Sequence, residues 1–365
     1  MKIVIVGGHL SPALSIIQNL EKEEVYYIGR KHTFEGDKAI SLEYQEISKL
    51  GIPFFTIKTG RLQRKVTRYT LFSLAKLPVG FFQALGILKK VKPDVILSFG
   101  GYLSIPVGFA GRFLKIPLVL HEQTLEVGFA NKILSPFAEK ICVSWESSLK
   151  HFPKEKTVLT GNPIKKEILN VSKLSKKTNS IPLIYVTGGS SGSHAINLLI
   201  LKTIGELCKK YIVFHQTGDS QKYKDYDKLL EMKNKLDAKY SKNYIIKKFL
   251  DAKTSAEIIN SADLVIGRAG INTVSELIYL KKPAFLIPLP FSQKNEQMKN
   301  AKFMESLGLS EIIPQNILTV ELFFEKLNYM LDNLTNYKLK KEVLLENPEE
   351  KIINVLKDVS KKKTT

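Results

Sequence analysis

His9 follows a short apolar run, KIVIV, and a glycine pair, and it precedes the helical pattern LSPALSII. Unperturbed histidine, with a pKa of about 6.5, is largely neutral near pH 7, so an imidazole at the end of a strand can accept a proton from a substrate hydroxyl. The same residue can also simply close a turn, and residue type alone leaves both roles open. A second strand-glycine-helix junction, VTGGSSGSHAIN (186–197), carries glycines that let backbone approach an anion, and the hydroxyls of Ser190, Ser191 and Ser193. The helix that follows supplies free N–H groups and a positive dipole end. It lacks the GK[ST] of a Walker loop, and a ligand-free βα turn is the competing account. A third junction, GRAGINTVSEL (267–277), brings Arg268 and Gly270 to a strand end. Glu276 follows within the first turns of a helix, where a carboxylate can take two vicinal ribose hydroxyls or merely favour the helix dipole.

Other candidates are weaker. His121 and Glu122 in HEQTLEVGFANK (121–132) follow an apolar run, but Leu125 stands where HExxH would need its second histidine, so zinc is not expected. The DYD at 225–227 lies in a lysine-rich segment that reads as a solvated helix face, and no metal site is expected. Cys142 and Cys208 have no metal or redox spacing and read as buried, reduced thiols.

Positioning these residues requires strands that end in glycine turns. Short β-rich runs alternate with helical patterns throughout, which implies parallel α/β layers. The order Asp, apolar run, glycine turn, helix, proline-flanked apolar run occurs twice: DVILSFGG (94–101) precedes IPLVLHE (116–122), and DLVIGRAG (263–270) precedes KPAFLIPLP (282–290). Two tandem Rossmann-like domains are the simplest account, with ligands at the carboxyl ends of their strands and the two edges facing across a cleft. The expected boundaries are 1–162, 163–340 and a C-terminal helix and basic tail at 341–365. The polar stretch KKEILNVSKLSKKTNS (165–180) reads as a linker, and KDVSKKKTT (357–365) as a frayed end.

The 365 residues, 44% hydrophobic and 25% charged, describe a globular chain long enough for two cores, yet the formal net charge is +20. That excess favours anionic partners. Residues 58–92 hold nine Lys or Arg and no acid, with Leu71, Phe72, Leu74, Leu77, Phe81, Phe82, Leu85 and Leu88 interleaved. Such a face suits an anionic membrane surface. A core helix with a solvated basic rim is the competing account. Nucleic acid is not expected, because no reading motif accompanies the charge. The N-terminal apolar run is too short for a signal segment, and no run of 18 apolar residues occurs.

In sequence order, GGHLSPAL (7–14), SFGGYLSIPVGFAG (98–111), IPLVLHEQ (116–123), GFANK (128–132), TGNPI (160–164), VTGGSSG (186–192), HQTG (215–218), FLD (249–251), RAGINTVSE (268–276) and EQMKNA (296–301) resemble the MurG family over nearly the whole chain. These are inverting, two-domain transferases of GT-B type that add N-acetylglucosamine from its UDP-sugar to lipid I, forming lipid II for peptidoglycan. The resemblance implies His9 as general base, with Gly8, Tyr102, His121 and Glu122 on the acceptor side. It implies Gly189, Ser190, Ser191 and Gly192 around the UDP diphosphate, and Phe249 and Leu250 against the uracil. Arg268 and Gly270 would lie beside the nucleotide, Glu276 on the ribose, and Gln297 and Asn300 at the sugar. Thr124 stands where an asparagine is usual, and Lys165 where an arginine is usual, both on the UDP-sugar side. Glu296 replaces the first member of a frequent pair. The loop before His9 is shorter than the family's, which normally approaches the acceptor diphosphate.

The implied partners are UDP-N-acetylglucosamine, a polyprenyl-diphosphate acceptor and an anionic membrane, with no cofactor or metal, at the cytoplasmic face of the cell membrane. A diacylglycerol glycosyltransferase, a UDP-N-acetylglucosamine epimerase and a non-catalytic UDP-sugar-binding subunit are the alternatives.

Overall fold

The structure, a computed structural model, describes residues 1–32, 40–60, 68–174, 180–189, 191–343 and 346–361; the side chains of 68–76 and 293 lie outside that description. Two compact units divide the chain: Met1–Lys165 with Leu345–Thr365, and Lys166–Leu344.

The first unit holds β1 (Lys2–Val6), β2 (Glu24–Gly29), β3 (Phe54–Thr56), β4 (Val95–Ser98), β5 (Leu118–Glu122), β6 (Lys140–Val143) and β7 (Thr157–Leu159). They form one parallel sheet in the order β3-β2-β1-β4-β5-β6-β7. The second holds β8 (Leu183–Thr187), β9 (Ile212–Gln216), β10 (Tyr244–Lys247), β11 (Leu264–Gly267), β12 (Ala284–Leu286) and β13 (Ser310–Ile312), parallel in the order β10-β9-β8-β11-β12-β13. Both are doubly wound about a central switch, at β1/β4 and at β8/β11, where such sheets open a crevice at the strands' carboxyl ends.

The repeated aspartate has a structural cause. Asp94 accepts from the Lys2 amide at 2.7 Å, and Asp263 accepts from the Leu183 amide at 2.7 Å. Each aspartate also donates its own amide to that residue's carbonyl at 2.8 Å. The pair fixes the register of the central strands at each switch point.

The strands read as continuous Val/Ile/Leu runs because both faces of each sheet are covered. Ile3, Ile5, Leu97 and Val119 pack beneath Ala13 and Ile16 of the helix Leu10–Gln18, and beneath Ile352, Leu356 and Val359 of the helix Pro348–Lys361. Val4, Val6, Ile96 and Leu120 face the other way, against Ala84 and Leu88. The C-terminal segment is therefore part of the first unit's core rather than a separate appendage. Its helix runs on to Lys361, so most of the stretch expected to fray is ordered by burial of its apolar stripe. Glu349 in that helix accepts from Ser15 Oγ at 2.7 Å and the Ile164 amide at 2.9 Å.

The expected linker is also corrected. Lys166–Ser172 is a helix with Ile168 and Val171 buried, and Asn260 Nδ2 donates to the Val171 carbonyl at 3.0 Å. Lysines at its exposed positions hid a short apolar stripe. Both cysteines are free and buried, and burial pushes each thiol up to about 12.

Candidate active site

His9 is the last residue before the helix Leu10–Gln18, with extended backbone at φ −133°, and its side chain does not cap that helix. Among the described residues no hydrogen bond engages its ring. It is half-buried, and desolvation, followed by the nearby charge of Arg30, lowers its pKa to about 4. The imidazole is thus neutral at pH 7. Gly8 is glycine because its neighbour strand's turn leaves no space: a Cβ there would lie 2.3 Å from the Gly100 carbonyl oxygen. Gly100 and Gly101 in turn take left-handed conformations, φ +78° and +79°. The two loops at the first switch point therefore meet backbone to backbone, with His9 standing beside them.

Tyr102 follows that turn, half-buried, with the Arg30 guanidinium 5.8 Å from its ring centre. Arg30 itself was missed by motif reading. The signal available was its position, the first residue after β2 and so at the same sheet edge as His9.

Three expected acceptor-side or sugar-side residues are committed elsewhere. His121 is 1% exposed, its ring 5.3 Å from that of Phe99 and its Nε2 3.4 Å from the Gly161 carbonyl and 3.3 Å from Ser144 Oγ. Nδ1 has no hydrogen-bond partner among the described residues, and burial lowers the ring's pKa to about 4. Glu122, 3% exposed, spends both oxygens on its own loop. Oε1 accepts from the Thr124 amide at 3.1 Å and hydroxyl at 2.6 Å; Oε2 accepts from the Gly128 amide at 2.8 Å and Asn131 Nδ2 at 3.0 Å. Thr124, buried, shares its hydroxyl proton between that carboxylate and the Glu126 carbonyl. Glu122 and Thr124 thus hold loop 122–131 in shape. Lys165 is the last residue of the first unit and is half-buried.

The second unit's switch point is built differently. Gly188 lies so close to the Ser193 amide that a Cβ would come within 2.2 Å of it. Gly192, at φ +73°, would place a Cβ 1.9 Å from the Thr217 carbonyl oxygen. Gly189, at φ +82°, has nothing within 4 Å of its would-be Cβ, so the turn presents open space there. The Gly192 amide closes the turn on the Gly189 carbonyl at 3.0 Å. The helix His194–Lys210 begins next, and Ser193 Oγ, buried at its start, has no hydrogen-bond partner among the described residues. Unsatisfied first-turn amides, an idle hydroxyl and an open glycine make an anion cradle. Ser191 is exposed on this loop, and Ser190 lies outside the described residues.

A buried polar network stiffens the cradle. Asn197 donates to the Thr217 carbonyl at 3.0 Å and to Asp225 at 2.9 Å, and it accepts from His215 Nε2 at 3.0 Å. Asp225 also takes His194 Nδ1 at 2.8 Å. Asp225 is thus buried while Asp227 is exposed, so the solvated face expected for DYD is corrected at Asp225 alone. Burial lowers His215 to about 3, so it stays neutral and serves as scaffold.

At β11, Arg268 donates to the Ile287 carbonyl at 2.9 Å and to Gln315 Oε1 at 2.6 Å, tying three loops together, and burial lowers it only to about 10, so it remains a cation. Gly270 precedes the helix Ile271–Tyr279 with open space at its Cβ position, and Glu276 is buried on that helix. Asn300, expected at the sugar, is fully buried and donates to the Ala269 carbonyl at 3.0 Å. It holds the RAG turn from behind. Gln297 Oε1 accepts from the Leu289 amide at 2.9 Å and organises loop 289–297. Phe249 is 58% exposed and Leu250 half-buried, just before the helix Ala252–Ser261.

Of the basic apolar region 58–92, residues 61–67 and the side chains of 68–76 lie outside the described residues. Beyond them, Phe81 contacts Phe82 and Phe113, and the last two are each 67% exposed. An apolar hollow of about 670 Å³ lies beside them, rimmed by Arg112 and Lys115. Leu88 and Ala84 of the same helix are buried in the core, as the core-helix account expects of that face. Among the described residues, no helix is long and apolar enough to cross a membrane, and no group of three or more His, Cys, Asp or Glu is placed to hold a metal ion.

The glycosyltransferase family 28 N-terminal domain model matches residues 6–143, and the family's C-terminal domain model matches 183–356. The UDP-N-acetylglucosamine–N-acetylmuramyl-(pentapeptide) pyrophosphoryl-undecaprenol N-acetylglucosamine transferase of Lachnoclostridium phytofermentans is 32% identical over 98% of this chain and 99% of its own. The enzyme of the same name from Clostridium tetani is 33% identical over 97% of each. Among solved structures, Acinetobacter baumannii MurG superposes with a TM-score of 0.72 at 24% identity, over 98% of this chain and all of that one. Neisseria meningitidis UDP-GlcNAc 2-epimerase, solved with UDP-GlcNAc, gives 0.65 at 15% over 98% of this chain and all of its own. These likenesses establish the fold as GT-B. With two matching domain models in the right order and full-length relatives above 30% identity, the chain belongs to glycosyltransferase family 28 and, within it, to the MurG family.

Proposed function

We propose that the chain transfers N-acetylglucosamine from UDP-N-acetylglucosamine to the polyprenyl-diphosphate-linked acceptor lipid I, forming lipid II for peptidoglycan. The observation that carries this is the contrast between the two switch points. One presents a neutral, unengaged imidazole, and the other an open glycine cradle at a helix N-terminus.

His9 accepts the proton of the acceptor hydroxyl as that oxygen attacks the anomeric carbon from the face opposite UDP. The C–O bond to the nucleotide breaks as the new glycosidic bond forms, and an α-linked donor becomes a β-linked product. Charge developing on the departing diphosphate is met by the cradle at 188–193 and the dipole of the helix His194–Lys210. Glu276 takes the ribose, and Phe249 and Leu250 flank the uracil. Arg268, Asn300 and Gln297 act by fixing the loops on which these contacts depend. This account calls for no metal or cofactor, because leaving-group stabilisation comes from oriented backbone dipoles. The exposed aromatic and basic side chains around Phe82 and Phe113 dock the enzyme on the anionic cytoplasmic face of the membrane, where its acceptor resides.

The test is UDP release from UDP-N-acetylglucosamine by purified protein, with and without a lipid I analogue, alongside UDP-glucose and UDP-galactose with diacylglycerol. Release dependent on the lipid I analogue is expected. Release dependent on diacylglycerol, formation of a 2-epimer without acceptor, or nucleotide binding without turnover would each replace this reading.

A further inference from the structure

Three side chains from three adjacent parallel strands meet at one edge of the first sheet: His9 after β1, Arg30 after β2 and Tyr102 after the glycine turn of β4. Arg30 is half-buried, its guanidinium lies 5.8 Å from the Tyr102 ring centre, and among the described residues no carboxylate pairs with it. The nearby carboxylate, Glu43, is occupied: it accepts from Tyr27 OH at 2.8 Å and from the Arg30 backbone amide at 3.0 Å. The Arg30 carbonyl accepts from the Ser41 hydroxyl, so the main chain beneath the guanidinium is held on both sides.

The glycine before His9 leaves less room for a ligand than Gly189 does. Gly8 is closed against the Gly100 carbonyl, with 2.3 Å left for a Cβ, while Gly189 faces open space. The first-turn amides of the helix Leu10–Gln18 offer a substrate anion partial charge only, and Arg30 is the full cation at hand beside His9. A partly desolvated guanidinium without a carboxylate partner favours an anionic ligand, and its fork matches phosphate oxygens bidentately.

We propose that Arg30 is the anion-binding residue of the acceptor half, and that its guanidinium takes the diphosphate of the lipid-linked acceptor beside His9. The proposal rests on the acceptor assigned above. It also links binding to chemistry. Arg30's charge is one of the two causes that hold His9 below its ordinary basicity, so pairing that charge with a diphosphate makes His9 a better base as the acceptor arrives. Among the described residues, the titratable groups around His9 are Arg30, Tyr102 and His121, with Glu43 and Tyr27 behind Gly7.

Arg30→Gln and Arg30→Lys test it. With a lipid I analogue, Arg30→Gln should raise the acceptor KM by about tenfold or more, the loss expected for a charge-assisted pair. The KM for UDP-N-acetylglucosamine should stay within about twofold, and Arg30→Lys should fall between, because it keeps the charge and loses the fork. An unchanged acceptor KM in Arg30→Gln overturns the proposal. If the wild-type protein turns over no lipid-linked acceptor, the functional reading has failed, and inorganic pyrophosphate decides the separate question. Titrated while the His9 ring resonances are followed by NMR, it should shift them saturably in the wild type and far less in Arg30→Gln. Equal shifts in both proteins, or none in either, sink the assignment.

Discussion

Glu122→Gln separates a loop-forming carboxylate from a substrate-binding one. The four hydrogen bonds into Glu122 all come from donors, two on each oxygen, and a glutamine must turn its NH2 toward one pair. Facing Gly128 and Asn131 would oppose two N–H groups. Facing Thr124 is better, because the Thr124 hydroxyl can accept from the amide while donating to the Glu126 carbonyl. Even so, the Thr124 amide is left buried against an N–H, at a cost of about 1–3 kcal/mol. The two surviving bonds also lose their ionic character, which at roughly half their strength costs about 1 kcal/mol more. A total of about 3 kcal/mol corresponds to a fall in Tm of about 6–12 °C for a unit of this size. Trp145, the only tryptophan, is buried in the same unit and donates Nε1–H to the Gln123 carbonyl at 2.8 Å, so its fluorescence reports on this loop during melting. UDP affinity, a property of the second unit, should not change. A variant that melts within about 2 °C of the wild type while its acceptor KM rises would refute this reasoning and return Glu122 to the substrate surface.

His9→Ala should lower kcat by about 10²–10⁴, the usual worth of a positioned base, while UDP affinity by calorimetry stays within twofold; equal turnover would remove His9 from the chemistry. Gly192→Ala combines a left-handed φ, costing about 1–2 kcal/mol, with a Cβ placed 1.9 Å from the Thr217 carbonyl, so UDP binding should weaken by at least about tenfold; an unchanged Kd would mean the loop is not the cradle. The pKa values of His121 and His215 fall from about 6.5 unfolded to about 4 and about 3 folded, so their contribution to stability is complete above pH 6.5 and is lost as pH falls toward 4 and 3. With His9, lowered to about 4 in the same way, three protons bound only on unfolding give a slope approaching about 4 kcal/mol per pH unit below pH 6, and a Tm that stays flat from pH 7 to 5 would contradict it.

The strand-turn-helix junctions were legible because glycine, aspartate and apolar runs obey local rules: Asp94 and Asp263 repeat since each pins the first residue of a central strand. What the sequence concealed depended on partners distant in the chain. Ser15, Ile164 and Glu349 meet across the first unit, so nothing local marks the C-terminal helix as core. Asn300 and Glu122 are polar residues in matching motifs, and only the structure shows that each is buried and hydrogen-bonded to a neighbouring loop. Asp225 looked solvated because lysines surround it in sequence, while His194 and Asn197 surround it in space. Arg30 belongs to no motif, and strand order alone brings it beside His9.

The two switch points share a scaffold and both use glycine to let loops pack closely, but Gly189 alone of these positions faces open space, and on the function proposed above that difference separates two chemistries. At Gly8 the missing side chain admits another backbone, the loops close, and the polar group left at the edge is an imidazole that burial and Arg30 keep neutral. At Gly189 the missing side chain admits nothing from the protein, and the opening stands before a helix start with unsatisfied donors. A closed loop with a neutral base suits removal of a proton from an uncharged hydroxyl, and an open loop with free amides suits a departing anion. Exchanging the two would fail on both sides: an imidazole held near pKa 4 cannot carry the charge a diphosphate needs, and backbone amides cannot accept a proton. The first unit still has to meet an acceptor that is itself anionic. On the proposal above that charge is met by Arg30, which the sheet order delivers to the same edge.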